Sequence, residues 1–338
     1  MTHAITLGKF WPFHLGHDLM IRAAVEYHDH ATIVIANDSH EKNSIVEQQM
    51  IKRFAKDLDR ISFCTYVDTE EYDVDENGVA TDPQYLQRWA IRLSDIAPAA
   101  THFVSSDLYG KPISELMGIK WLPIDPNREC VPISGTKIRN DIDKNWKFIV
   151  PEARYDWALK VAIVGAESTG KSTLVKCMAD RGMGTCPEYG RTLSEIRQNN
   201  LDARDFSNIF VIQREMIKQA TQLSSIVVTD TEAIITSLYV DKYIPEHNSD
   251  FKSIGETIAK MQKIDLYIVL APTVPWVDDG TRVMPDQVER EKFHDCICEK
   301  LESIGANYIV IDFDNWYDRY HEALAYIQSC NRALNNQK

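Results

Sequence analysis

The chain has 338 residues, 44% hydrophobic and 26% charged, with a formal charge of −13 at pH 7. That length predicts about two domains, and that composition excludes a mainly disordered chain. The acidic balance argues against a general nucleic-acid binder, which needs a basic face, but a few lysines and backbone N–H groups suffice for small phosphorylated ligands. No apolar run nears the ~18 residues of a membrane span, and Met1-Thr2-His3-Ala4-Ile5 lacks the basic and apolar regions of a signal peptide. Seven scattered cysteines, an odd number, read as free thiols of a reducing compartment, so a cytoplasmic protein with no membrane and no nucleic-acid partner is expected.

In chain order, residues 4–8 read as a short apolar strand, 18–27 as a helix, 31–36 as a β-branched strand and 46–58 as a helix. A strand over 61–67, a helix over 85–96 and a strand over 102–105 follow. This βαβα rhythm predicts a parallel sheet covered by helices. The acidic stretch 73–82, with Asn77-Gly78, reads as a surface loop. Residues 145–155, with Pro151, read as a connector. A second α/β unit then begins, with strands at 160–165, 225–229, 266–270 and 308–312 and a helix over 171–180. The expected domains are therefore 1–155 and 156–338. Cys296 and Cys298 beside His294 have the wrong spacing for zinc and read as a helix face.

The second unit opens on Gly165-Ala-Glu-Ser-Thr-Gly170-Lys171-Ser172, which fits G-x-x-x-x-G-K-[ST] between a strand and a helix. The glycines let backbone N–H groups wrap the phosphates of ATP or GTP, Lys171 reaches the β and γ phosphates, and the Ser172 hydroxyl ligates Mg²⁺. Thr173 follows in the same turn. Ser225-Ile-Val-Val-Thr-Asp230 ends an apolar strand in a carboxylate, the requirement for a second Mg²⁺ ligand. Glu188, in Pro187-Glu-Tyr-Gly-Arg191, is a candidate proton acceptor from a substrate hydroxyl. In Trp276-Val-Asp278-Asp279-Gly280-Thr-Arg282, an aromatic, two acids and an arginine share a loop. Arg282 and Arg290 supply the fixed positive charge that a lid over transferring phosphate requires.

The first unit carries Gly8-Lys9-Phe10-Trp11-Pro12-Phe13-His14-Leu15-Gly16-His17 at a strand-to-helix corner. Two histidines three apart share a helix face and donate hydrogen bonds to phosphate oxygens, while Gly8 and Gly16 permit close backbone approach. Ile133-Ser134-Gly135-Thr136-Lys137-Ile138-Arg139 places small hydroxyls before two cations, a pattern suited to a triphosphate.

These two stretches resemble the nucleotidyltransferase superfamily that carries H-x-G-H and I-S-x-T-x-x-R. That resemblance implies ATP held so that a substrate phosphate attacks the α-phosphorus, with His14, His17, Lys9, Thr136 and Arg139 on the ATP phosphates. Joined to a P-loop unit, the chain resembles the NadR family of bifunctional nicotinamide-nucleotide adenylyltransferases and ribosylnicotinamide kinases. The likeness runs from about Ile5 to Arg290 through Val104-Ser-Ser106, Asp125-Pro-Asn-Arg128, Trp146-Lys-Phe-Ile149, Glu152-Ala-Arg154, Glu188-Tyr-Gly-Arg191 and Asp230-Thr231. It implies a Rossmann-like nucleotidyltransferase sheet followed by a P-loop kinase sheet. It also implies ATP and Mg²⁺, with nicotinamide riboside and its mononucleotide as substrates and NAD as product. Gly8, Phe10, Ser134, Thr136, Gly165, Gly170, Lys171, Ser172, Thr173 and Arg290 would bind ATP, and Trp89, Arg191, Trp276, Asp278 and Asp279 the substrates. Trp89 reads equally as a core residue.

Two positions depart from the family. The first strand starts almost at Met1, so no helix-turn-helix repressor module is expected, and the family's aromatic before Glu-Tyr-Gly-Arg is Pro187 here. A competing reading is an adenylyltransferase whose P-loop unit senses nucleotide without turnover; a third is a similar pair of activities on a flavin nucleotide. The sequence leaves the oligomeric state open.

Overall fold

The structure is a computed structural model that describes residues 1–70, 81–278, 280 and 282–337, the side chains of 241, 248 and 334–337 excepted. Most of the expected 73–82 loop, and Asp279, lie outside the described residues. The chain divides into two units, Met1–Trp157 and Ala158–Lys338.

The first unit alternates β1 (His3–Gly8), α1 (Leu15–Tyr27), β2 (His30–Asn37), α2 (His40–Arg53), β3 (Ile61–Val67), α3 (Pro83–Ile96), β4 (His102–Ser105), α4 (Gly110–Met117) and β5 (Lys120–Pro123). Three helices close it, α5 (Gly135–Asn140), α6 (Ile142–Asn145) and α7 (Pro151–Trp157), with a 3-10 turn at Trp146–Phe148. The strands form one parallel sheet in the order β3-β2-β1-β4-β5. Strands enclosed by helices on a parallel sheet must be apolar throughout, and β2 is buried from Ala31 to Asn37. Ile5, Val34, Phe103, Trp89 and Leu93 meet in its core.

Two expectations are corrected here. The helix expected over 46–58 starts earlier and ends earlier. Ser39 caps α2, its Oγ accepting from Lys42 N at 3.3 Å, and the polar first turn after it hid the start. The expected connector 145–155 is part of the first unit: Trp146, Ile149, Val150 and Ala153 are buried. Val150 N donates to Phe13 O at 3.3 Å, and Ile149 bridges His14. This segment therefore braces the histidine motif.

The second unit runs β6 (Leu159–Gly165), α8 (Lys171–Ala179), β7 (Gly184–Cys186), α9 (Tyr189–Arg197), α10 (Ala203–Ala220), β8 (Ile226–Asp230), α11 (Ala233–Tyr243), α12 (Asn248–Gln262), β9 (Leu266–Leu270), α13 (Gln287–Ser303), β10 (Tyr308–Ile311) and α14 (Trp316–Gln337). Its sheet is again parallel, in the order β10-β9-β6-β8-β7. In both sheets the first strand is central and the order reverses beside it. The crevice outside the carboxyl ends at such a switch point is where open α/β sheets bind ligands. No described helix is long and apolar enough to cross a membrane.

Candidate active sites

In the first unit, β1 ends at Gly8, and Phe10 turns back with φ +52° to lay its buried ring on that glycine. A Cβ at residue 8 would come within 3.1 Å of the Phe10 ring. His14 then caps α1: its Nδ1 accepts from Gly16 N at 3.1 Å and His17 N at 3.4 Å. An Nδ1 that accepts leaves the ring proton on Nε2, so His14 presents a donor there. His17 stacks on His14 with ring centroids 3.6 Å apart. Burial, then the neighbouring His17, holds His14 well below the usual imidazole range. Burial, then the Arg128 charge, pushes His17 down to about 3. Both imidazoles are neutral at physiological pH, and His17 Nδ1 is buried with no hydrogen-bond partner.

Facing them, Ser134 caps α5, accepting from Lys137 N at 3.2 Å. Arg139 reaches back to Trp11 O at 2.5 Å and Thr136 Oγ1 at 3.2 Å. Arg128 donates to Ile133 O at 2.5 Å and to Asp107 Oδ1 at 2.8 Å. The cavity of about 220 Å³ among these groups is lined by Gly8, Lys9, Phe10, His14, His17, Ser134, Thr136, Arg139 and Trp89. All the site residues expected in this half thus meet in one pocket. Trp89 is fully buried against Tyr66 and Tyr85 and is one of the residues around this cavity.

In the second unit the P-loop follows β6. Gly165 has φ +150°, and a Cβ there would stand 2.6 Å from Leu270 O, so only glycine fits. Lys171 lies buried, its Nζ on Gly165 O and Ala166 O at 3.0 Å each. Ser172 Oγ donates to Asp230 Oδ2 at 2.5 Å, while Asp230 Oδ1 is buried without a partner. A hydroxyl beside a carboxylate with an orphaned oxygen is a hard oxygen donor set, which fits Mg²⁺.

The cavity here, about 420 Å³, is lined by Lys171, Ser172, Thr173, Gly170, Glu188, Arg191 and Arg282, with an aromatic and aliphatic wall of Leu201, Phe206, Ile209, Tyr239 and Tyr243. Glu188 stands at the start of α9 with no capping bond from its side chain. Burial, then the Asp230 charge, raises its carboxyl to about 7. Arg282 Nη1 donates to Ser168 Oγ at 3.0 Å and to Val277 O. Glu167 Oε2 accepts from Val283 N and Met284 N at 2.8 Å each, tying the P-loop to the 272–286 segment.

A family model described as an AAA domain matches residues 160–319. The Trifunctional NAD biosynthesis/regulator protein NadR of Escherichia coli (strain K12) is 25% identical over 336 residues, covering 94% of this chain and 81% of that protein. The same-named protein of Salmonella typhimurium is 25% identical over 335 residues, covering 93% and 80%. The chain is thus similar to these two NadR proteins along almost its whole length. Among solved structures, a NadR protein in complex with NAD and AMP-PNP superposes with a TM-score of 0.67 at 23% identity, over 98% of this chain and 96% of the other. A NadR protein in complex with NR gives 0.67 at 21%, with the same coverage. The two-sheet α/β fold expected from the motifs is thus the NadR fold.

Of the expected residues, Gly165 and Asp230 meet the second cavity only through their contacts with Lys171 and Ser172, and three others stand away from it. Arg290 is 1% exposed and does not line it. Its guanidinium is engaged by Glu167 O at 3.1 Å, Val274 O at 3.0 Å and Gln287 Oε1 at 2.9 Å, so it braces the P-loop from behind. Trp276 and the exposed Asp278 also stay off the wall; Asp278 Oδ1 accepts from Gly280 N at 2.9 Å, and Val277 between them lines the cavity. Pro187 is exposed and is not a lining residue either, so the aromatic wall is built from Phe206, Tyr239 and Tyr243 instead. Sequence reasoning gave no role to Arg128, Asp107, Asp68 or Tyr239. The first three follow the ends of β5, β4 and β3, so the rule that ligands gather at carboxyl ends of parallel strands would have found them.

Proposed function

We propose that the chain makes NAD in two ATP-dependent steps. The second unit phosphorylates the 5′-hydroxyl of nicotinamide riboside, and the first joins the resulting mononucleotide to AMP from ATP, releasing pyrophosphate. The observation that carries this reading is that both nucleotide signatures stand in one chain, matched over 94% of its length by an NAD biosynthesis/regulator protein. The allocation gives residues 1–155 to adenylyl transfer and 156–338 to the kinase, both in the cytoplasm.

In the first pocket no protein nucleophile is required. A phosphate oxygen of the mononucleotide attacks the α-phosphorus in line, and pyrophosphate leaves. His14 Nε2–H, His17 and Thr136 hold the triphosphate by hydrogen bonds, and Lys9 and Arg139 neutralise the charge that grows on it. Each pre-aimed donor of this kind is worth roughly 10²–10³ in rate. As neutral imidazoles, His14 and His17 orient the phosphates by N–H donation.

In the second pocket the P-loop N–H groups and Lys171 hold the β and γ phosphates, and Arg282 and Arg191 supply further positive charge. Glu188 accepts the proton of the attacking hydroxyl; Asp230 is already committed to Ser172. Ser172 and Asp230 would hold Mg²⁺, which supplies charge neutralisation of the transferring phosphoryl group. The Phe206, Tyr239 and Tyr243 wall gives a planar base an apolar seat.

Chromatography of products from purified protein with Mg²⁺, ATP and either riboside or mononucleotide tests the reading. NAD from both is expected. NAD from the mononucleotide alone would leave the second unit a nucleotide sensor, and NAD from neither would sink the nicotinamide assignment.

A further inference from the structure

Gln213 is a buried amide at a position where α10 calls for an apolar side chain. Phe206, Ile209, Phe210 and Ile217 form the buried stripe of that helix, and Gln213, 2% exposed, falls in the same stripe at helical spacing. A buried amide costs free energy unless its polar atoms are matched, and here both ends are. Its Oε1 accepts from Tyr189 N at 2.8 Å. Its Nε2 lies 3.2 Å from Pro187 O, 3.1 Å from Thr229 Oγ1, and 3.3 Å from both Asp230 O and Cys186 Sγ. One side chain therefore grips the peptide groups on both sides of Glu188 and ties them to the end of β8. The grip falls at the margin of the sheet. β7 is an edge strand of 3 residues, Pro187 and Glu188 alone join it to α9, and a proline has no N–H with which to anchor that link. The Glu188 side chain makes no capping bond to α9. Gln213 and Glu188 line the second cavity together with Lys171 and Ser172.

We infer that Gln213 is a positioning residue of the phosphoryl-transfer site: its amide fixes the backbone of Glu188 against β8, and so holds the accepting carboxylate at a set place relative to Asp230 and the P-loop. The inference rests on the proposed kinase reaction, with Glu188 as its proton acceptor, and adds to it a residue that acts through that carboxylate. A base must stand within hydrogen-bond reach of the proton it takes, and a misplacement of about 1 Å costs about 10²-fold in rate. The shape of the amide is what the role requires. The carbonyl before Glu188 needs a donor and the N–H after it needs an acceptor, and a glutamine side chain carries one of each at its tip. A methionine is also long and unbranched, and supplies neither.

The test is a mutant cycle on riboside phosphorylation with Gln213→Met, Glu188→Gln and the double variant. Gln213→Met is expected to lower kcat by about 10–10²-fold, while KM for ATP and the affinity for ADP stay at their wild-type values. In the Glu188→Gln background the same change should cost nothing further, because residues that act as a unit are strongly non-additive. Losses that multiply in the double variant mark Gln213 as merely structural and overturn the inference, as does an unchanged kcat in Gln213→Met. Should Gln213→Met fail to bind ADP, the second unit has lost its fold, and the cycle is run with Gln213→Glu. That variant keeps the shape and the acceptor toward Tyr189 N but, when ionised, has no donor for Pro187 O. The same loss of kcat and the same non-additivity are expected there, and multiplying losses overturn the inference again. A wild type that does not phosphorylate the riboside, or a Glu188→Gln variant of full activity, would instead overturn the proposed kinase reaction or its base, and the inference with it.

Discussion

Ser172 Oγ and Asp230 Oδ2 lie 2.5 Å apart, joining the first turn of α8 to the last residue of β8. Their meeting follows from the sheet. β6 and β8 are parallel neighbours with Ile163 opposite Asp230, so the strand that launches the P-loop and the strand that ends in the carboxylate finish at the same edge. Two segments 58 residues apart in sequence thereby bring a hydroxyl and a carboxylate together beside the P-loop.

Lys171→Ala removes the ammonium that now rests on Gly165 O and Ala166 O and that would turn to the phosphates. Riboside phosphorylation is expected to fall by about 10³ or more, as for other fixed charges on a transferring phosphoryl group. NAD formation from the mononucleotide should stay at the wild-type rate, because that site is built wholly within Met1–Trp157. A parallel loss of both activities, measured in one assay series, would contradict the separation of sites.

Glu188 must be deprotonated to accept a proton, and burial, then the Asp230 charge, raises its carboxyl to about 7. Kinase kcat/KM is therefore expected to rise with pH through the neutral range and level off above it. Glu188→Gln should lower kcat by roughly 10²–10⁴ and flatten that limb. An unchanged acid limb in the variant would move the base elsewhere, with Asp230 as the candidate.

Arg290, expected at the phosphates, lies off the lining of the second cavity, its donors spent on Glu167 O, Val274 O and Gln287. Arg290→Met leaves two carbonyls without their charged donor, at a cost of about 2–4 kcal/mol to the second unit. Urea unfolding should show that loss directly. A variant of wild-type stability whose kcat alone has dropped would restore the phosphate-binding role.

Local signatures were the legible part of this protein. The P-loop, the histidine corner and the Ser134–Arg139 stretch each lie within about ten residues, so spacing alone places their groups on one turn or loop. What sequence did not give was assembled across strands. Arg128 reaches Asp107 only because β4 and β5 run side by side, and Tyr239 reaches the P-loop cavity only because α11 follows β8. The edge strands β5 (Lys-Trp-Leu-Pro) and β7 (Gly-Thr-Cys) lack the apolar run that marks the similarly short β4 and β10. The misplacement of Arg290 has the same origin: a cation near a phosphate motif in sequence reads as a ligand, and only packing shows that backbone carbonyls have taken its donors.

His14 and His17 also tie the stability of the first unit to pH. Both have pKa values lowered in the fold, chiefly by burial, His17 to about 3. Above the unfolded value of ~6.5 each is neutral in both states, and the fold bears no penalty. As pH falls below that value the unfolded chain takes up protons that the folded chain refuses, so stability declines and continues to decline toward the folded pKa. The slope approaches ~1.4 kcal/mol per pH unit for each histidine. Other acid-sensitive groups contribute too, so the comparison is with His17→Gln, which shares them. Between pH 6 and pH 4.5 the first unit's unfolding midpoint should fall less steeply in the variant than in the wild type. Parallel slopes would mean that His17 takes up a proton in the fold as readily as outside it, and that burial does not keep its imidazole neutral below the ordinary value.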